Sequence, residues 1–415
     1  MLRNSGVVLS VVAAAYGLSA MGDQMAIVAL TLRLHDEGRS GYVLSLLVVA
    51  SVLPLVVVGP LAGPLVDRIE SSRLIMTVTA LQAVVALGLA LTTDTVVAVL
   101  LLALLGCGAA LALPALQLLV PQITGEEATA RGYARLETFR AVGNIAGPAL
   151  AGLLVAVWDA RIALAVNAAS FALLGTALAA VGVRRRPVAV TTRPGWLGQV
   201  REGVRVLGAD RLLRTAIGAL ACAIVFTAIL VVARVFFIRD DLGASDAGYG
   251  VLVTAHTVGM LLTSAFLAPR VPLAWQPRVL VCAGLLMGAS LLLSAAVPVL
   301  PVVVVAFALA GVANSLQSLS IRNLIHARVP AGVRGRAFAS SGAVLNGANM
   351  AGTALGGPAA VALGGAGALQ LAGAGTLLAS LAAGPMLFRR AVDEAGPAGT
   401  CEEEDPDNGI RLPAK

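Results

Sequence analysis

The chain has 415 residues, of which 58% are hydrophobic and only 12% charged, and its mean hydropathy is +0.91. Soluble domains carry about 25% charged residues, so the composition excludes an ordinary water-soluble globule. A net charge of +7 is compatible with a nucleic-acid binder, but the placement of the basic residues argues for a lipid surface instead.

A helix needs about 20 apolar residues to cross the hydrocarbon core of a bilayer. Such runs fall at 7–31, 42–66, 74–91, 96–119, 136–157 and 162–183, then at 212–238, 248–267, 279–296, 299–319, 337–361 and 369–388. The expected fold class is an all-α polytopic membrane protein with twelve transmembrane helices in two pseudo-symmetric six-helix halves. The expected domains are an N-terminal half at 1–183, a cytoplasmic linker at 184–211, a C-terminal half at 212–390 and a disordered cytoplasmic tail at 391–415. Arg3 ahead of the first run resembles a signal peptide. The run is too long, contains Asp23 and lacks a cleavage site, so it reads as an uncleaved helix. Cys107, Cys222 and Cys282 lie in apolar runs and Cys401 in the tail, without metal-ligand spacing. No metal and no cofactor are expected.

Arginines crowd into alternate loops: Arg68 and Arg73, Arg131 and Arg135, Arg184 to Arg186, Arg270 and Arg278, Arg328 and Arg334. The intervening loops hold Arg33, Arg39, Arg161 and Arg239. This positive-inside pattern predicts a multi-pass protein of the cell inner (plasma) membrane with both termini cytoplasmic. The basicity faces anionic lipid, and no nucleic-acid partner is expected. In the linker, Trp196, Leu197, Val200, Val204 and Leu207 share a face opposite Arg201, Glu202 and Arg205. That pattern suits a basic interfacial helix, with a plain solvated linker helix as the alternative.

An Arg-Gly turn followed by a glycine-rich helix occurs twice. Arg131-Gly132 leads to Gly143, Gly147, Pro148 and Gly152; Arg334-Gly335, 203 residues later, leads to Gly347, Gly352 and Gly356. A duplication of this size in an apolar chain points to a transporter with two structural halves. The glycines let helices approach closely. Pro148, present only in the first copy, removes a backbone hydrogen bond and bends its helix.

Few polar groups lie at membrane depth. Asp23 sits about seven residues, roughly 10 Å, from the outer end of the first apolar run. An unpaired carboxylate there is costly, which makes it a candidate for proton or substrate coupling; a structural acid bonded to backbone or Gln24 is the alternative. Tyr16, Gln24, Gln117, Asn144, His256, Asn314, Gln317 and Asn346 are candidate cavity residues, with interhelical hydrogen bonding as their alternative role. Arg234 lies near the outer end of its helix and is placed to snorkel or to pair with Asp240 or Asp241. Glu137 and Arg140, three apart, are placed to pair with each other and are inner-gate candidates.

The loop Gly63-Pro64-Leu65-Val66-Asp67-Arg68-Ile69-Glu70-Ser71-Ser72-Arg73 resembles the G-x-L-x-D-R-x-x-x-R/K motif of the major facilitator superfamily, matched at Gly63, Leu65, Asp67, Arg68 and, after one extra residue, Arg73. The resemblance implies that Asp67 caps the start of the eleventh helix, near Arg336, and helps to hold the inner gate shut. Gly143, Gly147, Pro148 and Gly152 resemble the superfamily's antiporter motif, with Ala151 replacing one glycine. The stretches 121–140 and 199–205 resemble the drug, macrolide-efflux and siderophore-exporter branch. Two departures stand out: the fourth run has no arginine, and the loop 268–278 lacks the Asp-Arg of its first-half counterpart.

The implied function is proton-coupled efflux of a small amphipathic organic compound by a monomer working through alternating access. Its partners are the small-molecule substrate, protons and the lipid bilayer. An importer or facilitator on the same fold is the alternative, and a non-transporting membrane sensor a remote one. An enzyme is not expected, since no HExxH or G-x-S-x-G motif occurs. An ATP-driven pump is excluded because the only lysine is Lys415, so no phosphate-binding loop exists.

Overall fold

The computed structural model describes residues 5–58, 69–125, 128–182, 205–267 and 270–393, and among these the regular structure is entirely helical. The first half comprises α1 (Ser5–Asp36), α2 (Gly41–Val57), α3 (Ser71–Leu91), α4 (Thr95–Thr124), α5 (Thr129–Val157) and α6 (Ala160–Val181). In the second half α7 spans Arg211–Asp241, ending in a π turn at Phe237–Asp241, and α8 spans Asp246–Leu267. They are followed by α9 (Gln276–Ala296) and α10 (Leu300–Arg328). The last helical stretch, Ala331–Asp393, is interrupted at Gly364, where φ is +72° and ψ is 179°. Glycine adopts that backbone without a Cβ clash, and the break separates α11 (331–363) from α12 (365–393).

The twelve segments match the twelve apolar runs, but several helices overrun them. Hydropathy marks only the part that crosses hydrocarbon, whereas backbone hydrogen bonding continues into polar turns. α1 therefore reaches Asp36 and α5 begins at Thr129. Short acidic caps end the turns: Asp94 accepts from the backbone N–H of Val96 and Val97, and Asp210 from those of Leu212 and Leu213. Of the linker, residues 205–209 are helical, with Arg205 exposed and Leu207 buried as expected; Trp196, the rest of the linker and the acidic tail lie outside the described residues.

Leu81, Val84, Leu87 and Leu91 of α3 form an exposed apolar stripe, and Val96, Leu100 and Leu104 of α4 another. Continuous outward stripes of this kind suit lipid rather than water. The chain is a multi-pass membrane protein.

Within the first half α1 packs against α5 and α6, α3 against α4 and α6, and α2 against α4. The second half repeats the plan: α7 packs on α11 and α12, α9 on α10 and α12, and α8 on α10. The halves meet mainly through α5 with α8 and α2 with α11. Both crossings lie at the end that carries the α1–α2 and α7–α8 turns, called here the joined end. A Cβ on Gly152 would stand 2.6 Å from the Asp246 carbonyl oxygen, and one on Gly41 would stand 2.7 Å from the Gly357 carbonyl oxygen. Ser45 completes the second crossing: its hydroxyl donates to the Thr353 carbonyl at 2.9 Å and accepts from the Gly357 N–H at 2.6 Å.

The buried core follows the same division. At the joined end one apolar cluster draws on both halves, with Leu30, Leu44 and Leu164 packed together with Val232, Phe237 and Leu252. Toward the opposite end the cores separate. One cluster, around Ile75, Leu116 and Leu136, belongs to the first half; another, around Leu213, Ile325 and Leu387, belongs to the second.

Gly41→Val should force α2 away from α11. In a background without native cysteines, a cysteine replacing Ser45 should then react several-fold faster with a membrane-permeant maleimide. Unchanged reactivity would show that the crossing tolerates the side chain.

Candidate functional site

Each half contributes one hollow, and equivalent helices line both. The first-half hollow, about 280 Å³, is bounded by α1, α2, α4 and α5 and is lined by Tyr16, Asp23, Gln24, Arg140 and Asn144. The second-half hollow, about 810 Å³, is bounded by α7, α8, α10 and α11 and is lined by Arg234, His256, Asn314, Gln317, Arg322 and Asn346. The sequence candidates thus converge into two groups, with one exception. Gln117 is exposed and does not line the first-half hollow; its carbonyl oxygen accepts from the Tyr133 hydroxyl at 3.1 Å. Hydropathy gave its depth correctly but not the helix face it occupies.

Asp23 lies well inside α1. Because α1 continues to Asp36, the acid stands thirteen residues from the helix end, about 20 Å, near its midpoint. It has no hydrogen bond or ion pair to the described residues. Gly143 and Gly147 hold α5 against the wall that carries it: a Cβ on Gly147 would stand 2.6 Å from the Gln24 Cβ and 2.7 Å from the Met21 carbonyl oxygen. The glycine motif therefore has two faces. Gly143 and Gly147 pack on α1 within the half, whereas Gly152 packs on α8 across the halves. Pro148 sits between these contacts, inside α5.

Glu137 and Arg140 pair as expected, with Arg140 Nη2 2.6 Å and Nε 2.9 Å from Glu137 Oε2. The pair lies on one helix and joins no second element. Arg234 departs from the expectation that it pairs with Asp240 or Asp241. Its guanidinium lies over the Tyr249 ring, 5.5 Å from the centroid. Asp240 meets His35 Nε2 at 3.1 Å, and Asp241 accepts from the Ala366 N–H at 2.7 Å. Of the loop motif, Arg73 is exposed in the first turn of α3; Gly63, Leu65, Asp67 and Arg68 lie outside the described residues.

Sequence reasoning missed the charged clasp at the joined end. Arg239 Nη2 stands 2.9 Å from Asp36 Oδ1, and Arg239 Nη1 3.2 Å from Asp246 Oδ1. The His35 to Asp240 contact lies beside them. The signal was present in the repeat: His35 and Asp240 are 205 residues apart, the same offset as the turn glycines Gly38 and Gly243. Equivalent positions in two halves related by an axis along the membrane normal are free to meet where that axis passes, and here one is a histidine and the other an aspartate.

The profile of the family described as transmembrane secretion effector, within the major facilitator superfamily, matches residues 4–400. The chain belongs to that family. The transporter is 25% identical over 351 residues to the uncharacterized MFS-type transporter YfiS of Bacillus subtilis, covering 82% of this chain and 84% of that one. It is 28% identical over 358 residues to the multidrug efflux pump Tap of Mycobacterium tuberculosis, with the same two coverages. Its fold resembles that of a bacterial homolog to the human lysosomal transporter Spinster, in an inward-facing and occupied conformation, with TM-score 0.70 and 14% identity over 93% of this chain and 95% of that one. The protein is a membrane transporter of the major facilitator type, not an enzyme.

Exposed ion pairs contribute about 0.2–1 kcal/mol each. Arg239→Gln removes the one that bridges the halves, to Asp36, and should shift the joined-to-separated ratio at this end about 1.4- to fivefold. Spin labels at Gly38 and Ala244 would register this as a growing long-distance population by electron–electron double resonance. An unaltered distance distribution would exclude a role for the clasp in holding the halves.

Proposed function

We propose that this transporter exports a small amphipathic organic compound in exchange for protons. The observation that carries the reading is Asp23: a carboxylate near the middle of α1, in a hollow beside the inter-half space, with no hydrogen bond or ion pair to the described residues. Burying an ionised carboxylate at that depth costs several kcal/mol (roughly 2.5–3.5 on insertion scales) unless water or a proton answers it. A group protonated when the cavity faces one side and ionised when it faces the other couples the two fluxes. The fourth helix carries no arginine, so Asp23 is the coupling residue on this reading.

The positive-inside pattern supports an orientation with both termini in the cytoplasm of a plasma membrane; on that reading the joined end is external and this conformation is inward-facing. Substrate then enters from the cytoplasm or the inner leaflet into the space between the two hollows. Rocking of the halves, with separation at the α2–α11 and α5–α8 crossings, exposes it outside. The similarity to a multidrug efflux pump supports export and an organic substrate. A monomer suffices, since both halves of the cavity come from one chain.

Inverted membrane vesicles energised by an imposed proton gradient test this reading. The wild type should accumulate a fluorescent amphipathic drug and release luminal protons as it does so. Asp23→Asn should lower gradient-driven accumulation at least tenfold while leaving drug binding in place. Drug accumulation by Asp23→Asn with the wild-type pH dependence would remove the acid from coupling, and counterflow without gradient dependence in the wild type would favour a facilitator.

A further inference from the structure

The two hollows carry unlike charge. The first-half hollow holds Asp23 and Arg140, and the latter is already matched by Glu137. The second-half hollow holds Arg234 and Arg322, and no aspartate or glutamate lines it. Arg234 forms no ion pair with the described residues, and its buried Nε has no hydrogen-bond partner. The acids nearest in sequence are engaged elsewhere: Asp240 with His35, Asp241 with the Ala366 N–H and Asp246 with Arg239. Tyr249 supports one face of the guanidinium, which leaves its N–H edge as the reactive side.

A guanidinium does not shed its proton, so its charge in the membrane interior calls for an anion or for water. Farther along the same cavity wall the amides of Asn314, Gln317, Asn346 and Asn349 are without hydrogen-bond partners among the described residues. Apolar walls formed by Leu220, Ile224 and Leu345 complete the enclosure. Arginine donates two parallel hydrogen bonds to a carboxylate, a geometry that neutral amides reinforce but do not replace. At about 810 Å³ the cavity lies within the range that encloses drug-sized molecules.

We propose that this wall of the cavity binds an amphipathic organic acid, with Arg234 as the charge partner of its anionic group and the amides farther along the wall as donors to the rest of the molecule. This names the substrate class of the exporter proposed above and rests on that reading. It also separates the two tasks in space: the substrate anion sits on the second half and the exchanged proton on the first, so the two sites do not compete for one carboxylate.

The test is equilibrium binding to the purified full chain in neutral detergent, with no gradient. Three acids of different size (fusidate, cholate and laurate) are titrated calorimetrically beside their uncharged methyl esters. At least one acid should bind tenfold or more tightly than its ester, the gain expected of a charge-assisted bidentate contact. Arg234→Gln should erase the difference, Arg234→Lys should keep part of it, and monodisperse elution of both variants confirms that they fold. Equal affinity for acid and ester in all three pairs overturns the proposal, as does an acid preference that survives Arg234→Gln. Retention of phosphatidylglycerol that depends on Arg234, without acid preference, also overturns it by assigning the charge to a lipid headgroup. Because binding is read without transport, loss of acid preference leaves proton-coupled export intact, and failure of the Asp23 experiment leaves the anion site intact.

Discussion

The close approach of two helix pairs at one end of the bundle is the constraint on which the rest of this transporter depends. Where α5 crosses α8 and α2 crosses α11, backbone meets backbone, and only glycine fits at Gly152 and at the Gly41 and Gly357 contact. In lipid there is little hydrophobic drive between helices, so close packing and hydrogen bonds must supply the attraction. Ser45, bonded to both Thr353 and Gly357, adds the second of these. Everything beyond the crossings diverges, and the space between the halves is the cavity.

The separation of the cores turns that geometry into a mechanism. A cluster shared between the halves at one end, and private clusters toward the other, is the packing of two rigid bodies hinged on a common face. Rocking leaves the private clusters whole and exchanges only the shared one. The apolar crossing supplies the attraction, while the ion pairs of His35, Asp36, Arg239 and Asp240 at the rim set how readily it yields. Weak, solvent-reachable pairs suit this position, because a strong buried pair would resist the opening that transport requires.

Fold class, helix number and the two-half plan were legible in the sequence because each rests on a one-dimensional quantity: run length, hydropathy or repeat offset. Seven of the eight polar cavity candidates line one of the two hollows, since a polar group at membrane depth has few places to point. What the sequence withheld was direction around each helix axis and the true helix ends. Gln117 has the right depth on the wrong face. The end of α1 lies five residues beyond its apolar stretch, the helix continuing through Arg33 and His35 to Asp36. Arg234, read as snorkelling or as pairing with Asp240 or Asp241, lies over Tyr249, while the two aspartates meet other partners.

The position of His35 opposite Asp240 bears on how such a chain can arise. If the halves were identical copies, the residue on the axis would face itself: aspartate against aspartate would repel, and imidazole against imidazole would lack an acidic partner. A homodimer of either six-helix half would meet the same difficulty at this spot. A basic and an acidic residue at one repeat position make each half a poorer partner for its own duplicate than for the other. Fusion of the halves into one chain and divergence at a single pair of positions thus serve the same specificity: this rim favours first half with second.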